Sequence, residues 1–159
     1  ASAIKSLKDL KNIKYLTVHI NGGYDMLKKI KKTAKKINRN LKIVGVTVLT
    51  SLSEKSLKKI GHTKSISQLV VQQAKLAKLV GLDGIVCSSK EAKLLKKICK
   101  NMEIITPGIR LKGDIANDQK RITTPKEAFN NGATSIVVGR SITNGSIKKN
   151  LKKLITSLN

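Results

Sequence analysis

Two arginines and one glutamine stand where an anion could be gripped. Arg110 closes a short apolar run over residues 104–109, and Arg140 follows Gly139 at the end of a second run over 135–138. Gln119 lies in the polar stretch between them. Arginine offers phosphate oxygens two parallel charge-assisted hydrogen bonds, and a glycine lets backbone N–H groups approach an anion closely. These residues favour phosphate binding over two arginines that merely finish strands. His19, at the end of an earlier apolar run, reads equally well as a ligand-positioning or a structural histidine. Thr50 follows a fourth run and could touch a ligand or cap a helix. Cys87 ends a fifth run; nothing in its surroundings would lower its pKa, so it reads as buried rather than reactive. His62 reads as ordinary surface.

The elements that carry these residues alternate. Apolar spacing at Ile4, Leu7 and Leu10 predicts a helix over 1–11. Residues 15–20 (Y-L-T-V-H-I) predict a strand, and Met26, Leu27, Ile30, Ala34 and Ile37 mark one face of the following helix. The nearly continuous apolar run 41–49 predicts a strand covered on both sides. Ser51-Leu52-Ser53-Glu54 reads as a capping box, placing a short helix directly after Thr50. Ile66, Leu69, Val70, Ala77 and Val80 predict a longer helix. Residues 82–87 predict a strand, and Ser88-Ser89-Lys90-Glu91 a second capping box opening a helix to Lys100. After the strand 104–109 comes a polar loop of about a dozen residues, a length that is usually functional inside a compact domain. Thr124-Pro125-Lys126-Glu127 combines a capping box with Pro at the first helical position, and Gly132 is placed as its C-terminal cap. Beyond the strand 135–138, Ile147, Leu151, Leu154, Ile155 and Leu158 form a last helical face.

The order is a helix, then five strands each followed by a helix, which predicts an α/β fold with parallel strands. At about 31 residues per βα unit of an eight-unit barrel, 159 residues make about five units. An open doubly wound sheet fits the same count, although Asn21-Gly22-Gly23 is a poor version of its glycine-rich first turn. In a barrel, function sits at the C-terminal ends of the strands, and phosphate is commonly held by the loops after the last two. All the residues singled out above, His62 apart, fall at strand ends or in the loop between the last two.

Composition narrows the classes. The 159 residues are 40% apolar, enough for one globular domain spanning 1–159. Aromatics are 2%, so the core must be aliphatic. Net charge is +24, from 33 Lys plus Arg against 9 Asp plus Glu. Such charge invites a basic nucleic-acid-binding module. The lysines are dispersed and stacking aromatics nearly absent, which favours a lysine-rich bias on solvated helix faces and no specific nucleic-acid partner. Cys87 and Cys99 show no metal or disulfide spacing, so a reduced, cytoplasmic setting is expected. No run of 18 apolar residues exists, and no membrane role or signal peptide is expected. The chain starts at Ala1 rather than Met, as expected of a piece of a longer protein.

Seven stretches taken together resemble bacterial orotidine 5'-phosphate decarboxylases. They are V-H-I-N-G-G from Val18, V-T-V-L-T-S from Val46, G-L-D-G-I-V-C-S from Gly81, I-T-P-G-I-R from Ile105, D-Q-K-R from Asp118, T-P-K-E-A from Thr124 and V-V-G-R-S-I-T from Val137. The resemblance implies a (β/α)8 TIM barrel, here about its last five units, acting as a homodimer without cofactor or metal. It implies that Thr50 contacts the pyrimidine region of orotidine 5'-phosphate or UMP. Gln119, Gly139 and Arg140 would hold the phosphate, with Arg110 beside the closing loop. The family's catalytic Asp-x-Lys-x-x-Asp motif, whose Lys protonates the carbanion left by carbon dioxide, is absent. Asp9-Leu10-Lys11 meets Lys14 where the second Asp belongs. The resemblance therefore implies that about three N-terminal units are missing and that no catalytic residue lies in this chain. The alternative is a non-catalytic or incomplete fragment.

Overall fold

A computed structural model describes residues 2–7, 12–111, 113–114 and 121–158. Five strands form one sheet in the order β1-β2-β3-β4-β5, every neighbouring pair parallel. They are β1 (Tyr15–His19), β2 (Lys42–Val46), β3 (Gly84–Val86), β4 (Glu103–Thr106) and β5 (Ser135–Ile136). The helices are α1 (Ser2–Lys5), α2 (Gly23–Ile37), α3 (Glu54–Lys59), α4 (Ile66–Val80), α5 (Ser89–Ile98), α6 (Pro125–Asn130), α7 (Arg140–Thr143) and α8 (Ile147–Thr156). Strand order equal to chain order decides between the two predicted architectures. A doubly wound sheet reverses direction at a switch point. Here every crossover advances the same way; with the right-handed connection that such units adopt, this lays the helices on one face and curls the other inward, as in a barrel.

The two faces of the sheet confirm this. Leu16 and Val18 of β1, Ile43 of β2, Ile85 of β3 and Ile104 of β4 point to the helices and pack with Leu27, Ala34, Val70, Ala74, Ala77 and Leu95. Gly45 is needed in that layer because a Cβ there would stand 2.7 Å from Ile20. On the opposite face, Tyr15, Thr17 and His19 are exposed. Tyr15 Oη donates to Glu103 (2.9 Å), and Lys42 pairs with the same carboxylate across Gly84, whose bare backbone leaves the crossing open. This polar cluster closes the N-terminal end of the concave face. β1 and β5 each have one strand neighbour among the described residues.

Several local expectations change. The regular strands are shorter than the apolar runs, because 47–50 leaves the ladder while Thr47, Val48 and Thr50 stay buried. The helix expected directly after Thr50 begins at Glu54. Its cap is Ser53, whose side chain accepts from Ser56 N–H. Glu54 instead caps the next helix, accepting from Ile66 N–H at 2.9 Å. Ser88 does sit at the N-cap of α5 but makes no side-chain cap bond; its hydroxyl turns to Glu91, which a buried arginine claims. Met26, assigned to the buried face of α2, is 36% exposed, because α2 begins at Gly23 and turns that position outward over Gly22. The Thr124–Glu127 capping box forms as read, and Gly132 follows the helix with φ +99°. The predicted helix over 1–11 is seen as Ser2–Lys5, with residues 8–11 outside the described set.

Candidate functional site

The loop after β4 is pinned at its base. Ile109 and Thr123 form an isolated parallel bridge, with Arg110 N–H donating to Thr123 O at 2.9 Å and Thr123 N–H to Gly108 O at 3.2 Å. A loop whose ends are held together is a recurrent scaffold for ligand contacts. Leu111 N–H donates to the Asp114 carboxylate (2.9 Å) and closes a turn at the start of this loop. Gln119 lies outside the described residues.

Arg110 and Arg140 line one cavity of about 330 Å³ with Gly113, Asp114, Ser141, Asn144 and Asn150. Arg110 is buried, its Nη1 donating to the Ile109 carbonyl at 2.8 Å. Ser141 Oγ donates to that same carbonyl at 3.4 Å, so one acceptor ties the end of the β4 run to α7. Arg140 is the first residue of α7 and half-buried. Asn150 of α8 fixes the far end of α7 by donating to Ile142 O (3.1 Å) and Asn144 O (2.8 Å). Gly139 precedes Arg140 with φ −97°, and no heavy atom lies within 4 Å of where its Cβ would stand. Packing therefore does not demand glycine there, and Gly139 itself stands next to the cavity lining rather than in it. Two guanidinium groups on one cavity suit a small oxyanion, with the Asp114 carboxylate, which accepts from Leu111 N–H, as the one negative group among the described lining residues.

Thr50 and His19 do not line this cavity. Thr50 is buried in the segment after β2, and His19 is exposed at the end of β1. Cys87 is 1% exposed, and burial, followed by the nearby Glu91 charge, pushes its thiol up to about 12.

A second cluster, which the sequence reading missed, lies behind the site. Arg121 is buried two residues before the bridge at Thr123. Its Nη1 donates to Glu91 Oε1 (2.8 Å) and Ser88 Oγ (3.3 Å), and its Nη2 to the carbonyls of Val48 (3.1 Å) and Leu49 (3.0 Å). The only sequence signal was its place in D-Q-K-R, because Glu91 read as a cap. Among the described residues no group of three or more His, Cys, Asp or Glu is placed to hold a metal ion, and no helix is long and apolar enough to cross a membrane.

Comparison with known proteins agrees with the resemblance read from the motifs. The family model described as "Orotidine 5'-phosphate decarboxylase / HUMPS family" matches residues 1–152. An orotidine 5'-phosphate decarboxylase of Wolbachia sp. subsp. Brugia malayi is 46% identical over 156 residues, 98% of this chain and 68% of that protein. One from Staphylococcus epidermidis is 46% identical over 134 residues, 83% of this chain and 58% of that protein. The crystal structure of the Lactobacillus acidophilus enzyme superposes with a TM-score of 0.77 at 33% identity, covering 99% of this chain and 68% of that one. The orotidine 5'-monophosphate decarboxylase of Methanocaldococcus jannaschii, complexed with inhibitor BMP, shares the fold at 23% identity and a TM-score of 0.72, covering 99% and 68%. The chain spans about three fifths to two thirds of the length of these relatives.

Proposed function

Because the chain belongs to the orotidine 5'-phosphate decarboxylase / HUMPS family, we propose that it is the nucleotide-gripping portion of a pyrimidine-forming carboxy-lyase. The observation that carries this is the convergence of Arg110 and Arg140, from the ends of successive βα units, on one cavity. The 5'-phosphate of orotidine 5'-phosphate or UMP occupies that cavity, with Gln119 reaching it from the loop after β4 and Gly139 baring the backbone beside it. Thr50 meets the pyrimidine end. His19 is a weaker candidate, at the rim of the concave face.

Decarboxylation breaks the bond between the ring and the carboxylate, releases carbon dioxide and leaves a carbanion that must take a proton. Phosphate contacts far from that carbon can offset ordering and distortion at the reacting centre. They cannot deliver a proton or arrange charge around the carboxylate. The sequence lacks the Asp-x-Lys-x-x-Asp set that does both in the family, so the chain binds nucleotide and leaves catalysis to units it does not carry. The complete enzyme is a cytoplasmic homodimer in this reading, and residues 1–159 are one domain of incomplete barrel form. Titration calorimetry of UMP into the chain tests the grip. Saturable binding competed by inorganic phosphate supports it; no UMP binding overturns it.

A further inference from the structure

We infer that Arg121 is a positioning residue that sets the phosphate-side loop in register with the pyrimidine-side segment. The inference rests on the nucleotide-gripping reading for its ligand, and on geometry alone for the coupling. One guanidinium joins the segments that follow three successive strands. It stands at the returning end of the loop after β4, bonds Ser88 and Glu91 at the start of α5 after β3, and bonds the Val48 and Leu49 carbonyls after β2. Leu49 immediately precedes Thr50, and Arg121 lies two residues from Gln119. The candidate for the pyrimidine end thus follows a residue held by a side chain that stands two residues from the bridge at the base of the loop after β4.

The local energetics explain why this link is rigid. Arg121 and Glu91 side chains are 8% and 9% exposed. A buried charge is tolerated only when paired and hydrogen-bonded. Glu91 supplies the pairing, and the two carbonyls take the other arm of the fork. Past the end of β2, the Val48 carbonyl finds its donor in Arg121, and the Leu49 carbonyl accepts from Arg121 as well as from Leu52 N–H at 3.0 Å. Lysine carries the same charge but lacks the planar fork that reaches the carboxylate and both carbonyls at once.

Two variants test this without relying on a misfolded protein. Arg121→Met combined with Glu91→Met removes both charges together, an exchange that buried ion pairs often tolerate. Arg121→Lys keeps the charge opposite Glu91 and loses the fork. Both are compared with the wild-type chain by hydrogen exchange, by thermal unfolding, and by titration with UMP and, separately, inorganic phosphate. The expected result is exchange at residues 48–51 faster by about tenfold or more, with α4 unchanged. UMP affinity falls by about tenfold while inorganic phosphate affinity is retained, because the arginines around the cavity are untouched. A merely structural role predicts parallel loss of both ligands tracking the melting temperature; that outcome overturns the inference, as does unchanged exchange at 48–51 in both variants. If the wild-type chain binds neither UMP nor phosphate, the nucleotide reading fails, and the exchange comparison still decides whether Arg121 couples the loops.

Discussion

At the scale of single residues, the proposed reading divides the site into groups that meet ligand and groups that hold those in place. Arg140, which lines the cavity, is assigned to the first kind. Replacing it by alanine removes a charge-assisted contact worth about 1.5–3 kcal/mol, so calorimetry should show UMP affinity lower by roughly 10- to 150-fold. Unchanged affinity would remove Arg140 from the grip. Cys87 belongs to neither kind. Its thiol is buried and its pKa is raised to about 12, so almost no thiolate exists at pH 8. Iodoacetamide at pH 8 should leave Cys87 unmodified in the native chain and label it once the chain is unfolded in guanidinium. Rapid native labelling of Cys87 would mean that the β3 end opens.

Elements differ in how firmly tertiary packing holds them. α6 starts with a complete capping box, Thr124 Oγ1 accepting from Glu127 N–H (3.3 Å) and the Glu127 carboxylate accepting from Thr124 N–H (2.9 Å). Thr124→Ala should cost about 1 kcal/mol in urea unfolding at neutral pH. Hydrogen bonds from the Thr124 backbone, then from the Thr124 and Thr123 hydroxyls, hold the Glu127 carboxyl below its ordinary value of 4.5. A depressed carboxylate stabilises the fold above the unfolded pKa and loses that contribution as pH falls through the folded one. Glu127→Gln should therefore flatten a small acid-side loss of stability below about pH 4.5, small because the group is solvent-screened. α8 contrasts with the core. Its apolar residues Ile147, Leu151 and Ile155 are 55%, 42% and 62% exposed, whereas Leu95 of α5 is fully buried. Leu95→Ala should cost about 2–5 kcal/mol, and Ile155→Ser should stay within about 0.5 kcal/mol. A large loss at Ile155 would show that something covers α8 in solution.

On the scale of the whole molecule, two facts set behaviour. β1 and β5 each lack a second strand neighbour among the described residues, so the concave face stays open where a closed barrel would pair them. In the proposed reading, one addition supplies both the catalytic groups and the closing strands. The chain alone should not consume orotidine 5'-phosphate, followed by its absorbance. Adding the N-terminal units with an Asp-x-Lys-x-x-Asp set, fused or in trans, should restore turnover. Turnover by the purified chain alone would refute this division of labour. The second fact is the net charge of +24. Because the lysines are dispersed over helix faces, gel shifts with duplex DNA should show weak, sequence-independent binding near 10⁻⁴–10⁻⁶ M at physiological salt; sequence-selective nanomolar binding would reverse the ranking of functions.

Much of this was settled by the linear sequence, because it depends on local rules. Strand and helix alternation, the cap at Thr124 and the arginines at strand ends follow from apolar period, turn chemistry and position along each unit. The motif order then carried the family. What the sequence left open depends on partners far apart in the chain. Strand order alone separates a curling sheet from a doubly wound one, and no local pattern encodes it. Ser88-Ser89-Lys90-Glu91 satisfies the rule for a cap, yet Glu91 turns inward because Arg121, thirty residues later, offers a full charge in a buried site, where an exposed cap bond offers only a dipole. Glu54 likewise serves the helix after its own, since the free N–H of Ile66 lies within reach. Local pattern names the residues that can make a bond; packing decides which partner each one meets.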